Sequence, residues 1–231
     1  MANQLDLEEQ EQLDQLKAFW KQYGNPITWA LIAVMGAFAG WNLYQRWQTS
    51  QATDASALYD ELDRVAKSGD VAKVERVFTD IKEKFPSTTY AQQSALLAAK
   101  VYFEAGKAAE SKAALTWVAE KSSDEGYQAI ARLRLAAVLV NDKTYDEALK
   151  QLVGKFPPEF SPLVADRKGD VFMLQGKKAE ARAEYEKAYK EFDERTEYRR
   201  LVEVKLNGLG VNPKPDAAKP GELSPPVDAK K

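Results

Sequence analysis

The sequence predicts an all-α protein in which a single N-terminal transmembrane helix is followed by an α-solenoid, a stack of helix pairs, closed by a C-terminal capping helix. Three observations predict it. Residues Gln22 to Gln45 carry no charge and lie between Lys21 and Arg46. Turn signals recur at Gly69, Gly106, Lys143 and Gly176, with spacings of 37, 37 and 33 residues between helical patterns. Small and large residues then repeat in phase with those turns.

The N-terminal segment, residues 1–25, reads as amphipathic. Leu13, Leu16, Trp20 and Tyr23 recur at three- and four-residue steps, with acids and amides opposite. Two readings stay open for it: a face laid on the membrane or a partner, or a solvated lead-in helix that Gly24-Asn25-Pro26 breaks.

The anchor is expected over residues 26–47. Its apolar heart, Ile27 to Tyr44, spans roughly 27 Å as a helix at about 1.5 Å per residue, close to the thickness of a hydrocarbon core. Trp20, Tyr23, Trp29, Trp41, Tyr44 and Trp47 gather toward its ends, where amphipathic rings prefer the headgroup level. A cleaved signal peptide would need a basic start. Here Asp6, Glu8, Glu9, Glu11 and Asp14 outnumber Lys17 and Lys21, so the anchor is expected to stay. Lys17 and Lys21 before the span against Arg46 after it put the N-terminus in the cytoplasm by a margin of one residue. The large C-terminal domain is then across the membrane, which in a bacterium is the periplasmic side.

From Ala52 to Asn207 helices of 12 to 16 residues are expected, with longer breaks at Phe85-Pro86-Ser87, Ser122-Ser123-Asp124 and Phe156-Pro157-Pro158. The period approaches the 34 residues of the tetratricopeptide repeat. Gly169, Phe172, Gly176, Ala181, Tyr185 and Ala188 match its small and large positions best. Ala136, Leu139, Tyr145, Ala148 and Leu152 follow in the third unit, and Ala99, Tyr102, Gly106, Ser111 and Leu115 in the second. The first is degraded, with Leu62, Val65, Gly69, Val74, Phe78 and a closing Pro86. The competing reading is an irregular helical bundle. Ser87 to Thr89 and Asp124-Glu125 suit helix capping. Arg195 to Leu206 reads as a terminal cap with Leu201 and Val204 facing inward and Leu206 as a further inward candidate, since an open solenoid end would expose apolar surface. The repeat domain thus runs over residues 48–211, and the Pro- and Lys-rich tail, residues 212–231, is expected to be disordered.

Composition limits the chemistry. A net charge of −2 gives no basic excess for nucleic acid. With neither Cys nor His, thiol and imidazole nucleophiles, the common zinc sites and disulfides are excluded. Adjacent acids such as Asp60-Glu61, Asp146-Glu147 and Asp193-Glu194 point apart on a helix, and no phosphate-cradling loop or nucleophile elbow is present, so no enzyme, cofactor or metal is expected.

What remains is binding. In a solenoid of helix pairs the first helix of each pair lines the ligand face, which places Phe103, Ile130, Leu133, Val140, Met173 and Leu174 toward a groove for unfolded or extended apolar segments. The simpler alternative is that several of them pack between helices. Asp63, Asp166 and Asp170 are expected as an acidic rim. In the span, Ala33, Gly36, Ala37 and Gly40 form a small-residue face suited to helix association, although such residues are frequent in membrane helices anyway.

The acidic start EEQEQLDQLKAFWKQYG, the anchor ending in Gly40-Trp41, and degenerate repeats closing on Val204-Lys205-Leu206-Asn207-Gly208-Leu209 together resemble the YfgM family over about residues 5–211. The tail after Val211 departs from it. The resemblance implies an ancillary subunit of the bacterial SecYEG translocon, with its repeat domain in the periplasm. It also implies pairing with a PpiD-like membrane chaperone and the passing of emerging polypeptides toward periplasmic chaperones. The alternative is a cell-envelope scaffold or regulator, acting in division, cell-wall coordination or stress signalling through protein contacts.

Overall fold

A computed structural model describes residues 7–214; the first residues and the expected tail beyond Lys214 lie outside them. Among the described residues there are nine α-helices and no strand. They run α1 Leu7–Lys67, α2 Val71–Lys84, α3 Thr89–Glu104, α4 Ala108–Lys121, α5 Glu125–Asn141, α6 Tyr145–Gln151, α7 Ser161–Leu174, α8 Lys178–Glu191 and α9 Glu197–Gly208, with a short 3-10 turn at Pro158–Phe160. The chain divides into two compact units, Met1–Ala57 and Leu58–Lys231.

In the first unit α1 does not break at Gly24-Asn25-Pro26 but continues through Pro26. Proline removes one donor, leaving the Gln22 carbonyl without its usual partner. Beside it the Thr28 hydroxyl donates to the Gly24 carbonyl at 2.8 Å, and the Trp20 indole lies against Gly24. Trp29, Leu31, Val34, Met35 and Phe38 are each more than half exposed around the helix. Among the described residues this is the one helix long and apolar enough to cross a membrane. Tilted aromatic pairs lie toward both ends, Phe19 with Tyr23 and Trp41, Tyr44 and Trp47 in series.

The second unit is built from helix pairs. The end of α1 pairs with α2 around Leu62, Val74 and Phe78; α3 pairs with α4, α5 with α6, and α7 with α8. Each pair ends its first helix in the left-handed region, at Gly69, Gly106, Lys143 and Gly176, with φ of 74°, 74°, 59° and 75°. Lys107, Thr144 and Lys177 each donate a backbone N–H to the carbonyl five residues earlier, at 2.8 to 2.9 Å, which satisfies the free carbonyls of the helix end. Thr88 and Asp124 cap α3 and α5 through their side chains, as expected, and Asp70 caps α2. Lys73 bonds Asp70 through both its ammonium and its backbone N–H, which holds that carboxyl below the usual range.

Most of the repeat offsets within the helices are buried positions, with Val65, Tyr145 and Phe172 partly so. Ala99, Tyr102, Ser111 and Leu115, Ala136, Leu139, Ala148 and Leu152, and Ala181, Tyr185 and Ala188 are all nearly inaccessible. At Gly169 a Cβ would overlap the Tyr185 ring, so α7 and α8 approach through this glycine. Helix lengths depart from expectation in one pair: α5 has 17 residues and α6 only 7. Gly154 with φ 149°, followed by Lys155-Phe156-Pro157-Pro158, stops α6 early, and Leu152 still reaches the core from its cap.

The apolar interior falls into two clusters. The larger runs from Leu62 to Val171; the smaller joins Ala165, Ala181, Tyr185, Ala188, Tyr189, Val202 and Leu206 at the end of the stack. In α9 the expectation holds for Leu206 but not for Leu201 and Val204, whose place is taken by Val202. Val202 and Leu206 are fully buried, while Leu201 and Val204 are 46% and 64% exposed.

Candidate polypeptide groove and its terminal cap

Helices α3, α5 and α7 lie side by side, with α4 and α6 filling in behind them. On this face are two hollows that share Ala137 as their common wall. One, about 250 Å³, is bounded by Ala99, Lys100, Phe103, Leu115, Arg134 and Val138. The other, about 430 Å³, is bounded by Val140, Arg167, Asp170, Met173, Leu174 and Tyr185. A small side chain at position 137 is what leaves room on both sides of it.

The expected groove residues divide accordingly. Phe103 borders the first hollow, and Val140, Met173 and Leu174 border the second. Phe103, Met173 and Leu174 present much of their surface to solvent. Ile130 and Leu133 are half-buried and packed against the main core. Lys100, Arg134, Ala137 and Arg167 were not expected there. Position 137 lies one turn from Leu133 and from Val140 on the same helix face, which was the available signal.

The expected acidic rim is not one. Asp166 is fully buried, accepts the Tyr198 hydroxyl at 2.8 Å and pairs with Lys205 at 2.7 Å. Asp170 pairs with the same ammonium at 2.6 Å and accepts the Tyr185 hydroxyl at 2.8 Å. Lys205 also lies 5.2 Å from the centre of the Tyr185 ring. These carboxylates fasten α9 to α7 and α8, and only Asp63 stays at the surface, paired with Lys67. Burial, then the bond to Asp166, pushes the Tyr198 phenol up to about 12; burial and Asp170 push Tyr185 up as well. A buried carboxylate is tolerated only with partners of this kind.

At Gly36 and Gly40 an added Cβ would meet no described side chain or neighbouring segment within 4 Å. Among the described residues no group of acidic side chains is placed to hold a metal ion.

The arrangement is matched by known sequences. The tetratricopeptide repeat-like domain family matches residues 17–211. Three curated relatives each carry the name ancillary SecYEG translocon subunit. The protein from Neisseria gonorrhoeae is 31% identical over 88% of this chain and 98% of its own length. That from Haemophilus influenzae is 30% identical over 88% and 98%. That from Escherichia coli is 27% identical over 88% and 97%. No solved structure matches the chain. Coverage of almost the whole chain and of almost the whole of each relative, anchor and terminal cap included, means that this chain belongs to the YfgM family of tetratricopeptide repeat-like proteins.

Proposed function

We propose that this chain is a non-enzymatic, single-pass accessory subunit of the SecYEG translocon. Residues 1–25 face the cytoplasm, residues 26–47 span the inner membrane and the repeat domain, residues 48–211, lies in the periplasm. There the α3–α5–α7 face holds emerging polypeptides and, beside a PpiD-like membrane chaperone, passes them toward periplasmic chaperones. The observation that carries this most is the pairing of two features in one chain: an apolar anchor, and a repeat face whose hollows keep Phe103, Met173 and Leu174 in contact with solvent. The names of the relatives support the translocon as the place of action. Exposed apolar side chains beside hollows suit unfolded segments, and methionine adapts its shape to varied ones.

The small-residue face of Ala33, Gly36, Ala37 and Gly40 is the docking surface for a neighbouring membrane helix in this proposal, because small residues let two backbones approach in lipid. Photoreactive residues at Gly36 and Gly40 in native membranes should capture translocon subunits. A cysteine at Ser50, labelled by an impermeant thiol reagent in intact spheroplasts, should report the periplasmic side. Capture of no translocon subunit, or labelling only after lysis, would contradict the proposal.

A further inference from the structure

The walls of the groove carry a charge opposite to that of the chain. The protein has a net charge of −2, yet the residues around the two hollows include three cations, Lys100, Arg134 and Arg167, and one carboxylate, Asp170. That carboxylate is already compensated by Lys205 at 2.6 Å and the Tyr185 hydroxyl at 2.8 Å. Arg167 touches it only at 3.4 Å and is 47% exposed. Arg134 donates one N–H to the Leu96 carbonyl at 3.3 Å and forms no ion pair with a described residue. A guanidinium has five such donors, so most of its capacity is unspent. Lys100 meets Glu104 at 3.8 Å with both side chains more than 60% exposed, a contact that contributes little. The smaller hollow therefore has two weakly engaged cations at its edge, no acid among the residues that bound it, and an apolar floor of Phe103, Leu115 and Val138.

We propose that this face selects polypeptide segments in which a carboxylate adjoins a large apolar side chain, the apolar group entering the hollow beside Phe103 and the carboxylate pairing with Arg134 and Lys100. The inference rests on the groove reading above and narrows its ligands. The planar guanidinium fork matches a carboxylate in two parallel hydrogen bonds, and a basic segment would meet like charge. An Asp or Glu side chain and a free C-terminus supply the same chemistry.

The test uses the full-length protein in lipid nanodiscs and fluorescein-labelled ten-residue peptides sharing one Leu- and Phe-containing core, followed by fluorescence anisotropy. One peptide is neutral and amidated, one carries Glu and is amidated, one is neutral with a free C-terminus, and one carries Lys and is amidated. At least one carboxylate peptide should bind about tenfold more tightly than the neutral one, and the Lys peptide least. Which carboxylate arm gains tells whether a side chain or a terminus is read, and a gain in either supports the proposal. Arg134→Gln should bring the tight peptide to the level of the neutral one while leaving the neutral peptide unchanged, which also shows that the variant is folded. Lys100→Gln should do so in part. If all four bind equally and Phe103→Asp abolishes binding, the carboxylate preference is wrong and the groove stands. If no peptide binds, the groove reading fails, and the preference with it.

Discussion

Two clusters hold the repeat domain together by different means. The larger, from Leu62 to Val171, is mainly aliphatic, with Phe78 and Tyr102 among its members, and the polar residues buried beside it, Gln92, Ser94 and Ser111, are uncharged. The smaller is rich in tyrosine and is bound to a buried ion pair, Asp166 with Lys205, that Asp170 and two phenols complete. Position explains the difference. An inner helix has neighbours on both sides, so apolar contact suffices to order it. The last helix has one side to water, and α9 carries apolar residues on both faces, Val202 and Leu206 on one, Leu201 and Val204 on the other. Hydrophobic burial alone would not choose between two such faces. Lys205 and Tyr198 reaching Asp166 does choose, and this is a polar device that sets register.

The contrast can be broken most severely at Lys205. Lys205→Ala leaves Asp166 buried without its cation and should cost about 3–5 kcal/mol, enough to detach α9 while the larger cluster stays folded. Hydrogen exchange should then show fast amides confined to α9 and the facing part of α8. Loss of protection across α3 to α5 instead would mean that the two clusters form one cooperative unit.

A smaller effect is expected at Gly169. Gly169→Ala forces the added methyl into the Tyr185 ring at the α7–α8 contact and should cost about 1–3 kcal/mol, read as a lower urea midpoint of the detergent-solubilised chain. Adding Tyr185→Ala should recover the methyl-specific part, because the clash partner is gone.

Alkali separates the clusters in another way. Tyr198 titrates near 10 when unfolded and at about 12 when folded, so folding favours its protonated form. Its contribution is complete below pH 10 and is lost as pH rises from 10 to 12. Tyr185 is raised in the same direction. Unfolding midpoints should be flat up to pH 10 and then fall, and the double variant Tyr185→Phe, Tyr198→Phe should start lower and fall less steeply. Tyr102, raised to about 12 by burial and the Glu75 carboxylate, adds a slope from the larger cluster that this variant keeps.

The smallest change is a gain. Lys143 holds the left-handed turn position that glycine occupies in the other three pairs. Lys143→Gly should stabilise the domain by about 0.5–1 kcal/mol, since a side chain is strained at that φ.

Much of the larger cluster was legible from residue order, because each feature there is local. Glycine at the turns, small against large residues one helix apart, and Thr88 and Asp124 as caps all act within a few residues of themselves. The terminal cluster was not legible in the same way. The partners of Lys205 lie 39 and 35 residues away, and an acid in a helix reads as solvated unless its cation is known to reach it. For the same reason Leu201 and Val204 were expected inward: two apolar stripes on a helix of 12 residues have equal claims until a fixed contact decides. The groove was half legible. Phe103, Val140, Met173 and Leu174 follow from helix phase, but the hollows depend on Ala137 being small, and their charge depends on which carboxylates are already engaged. Pro26 was misleading because α1 continues through it with the loss of a single backbone donor, which the residue order alone does not reveal.

The central claim, that the α3–α5–α7 face meets polypeptides leaving the translocon, is tested most directly by site-specific photocrosslinking to a secretory chain stalled during translocation in native membranes. A photoreactive residue at Leu174 should capture the stalled chain, and one at Lys187, exposed on α8, should not. Capture at neither position, or equal capture at both, would contradict it.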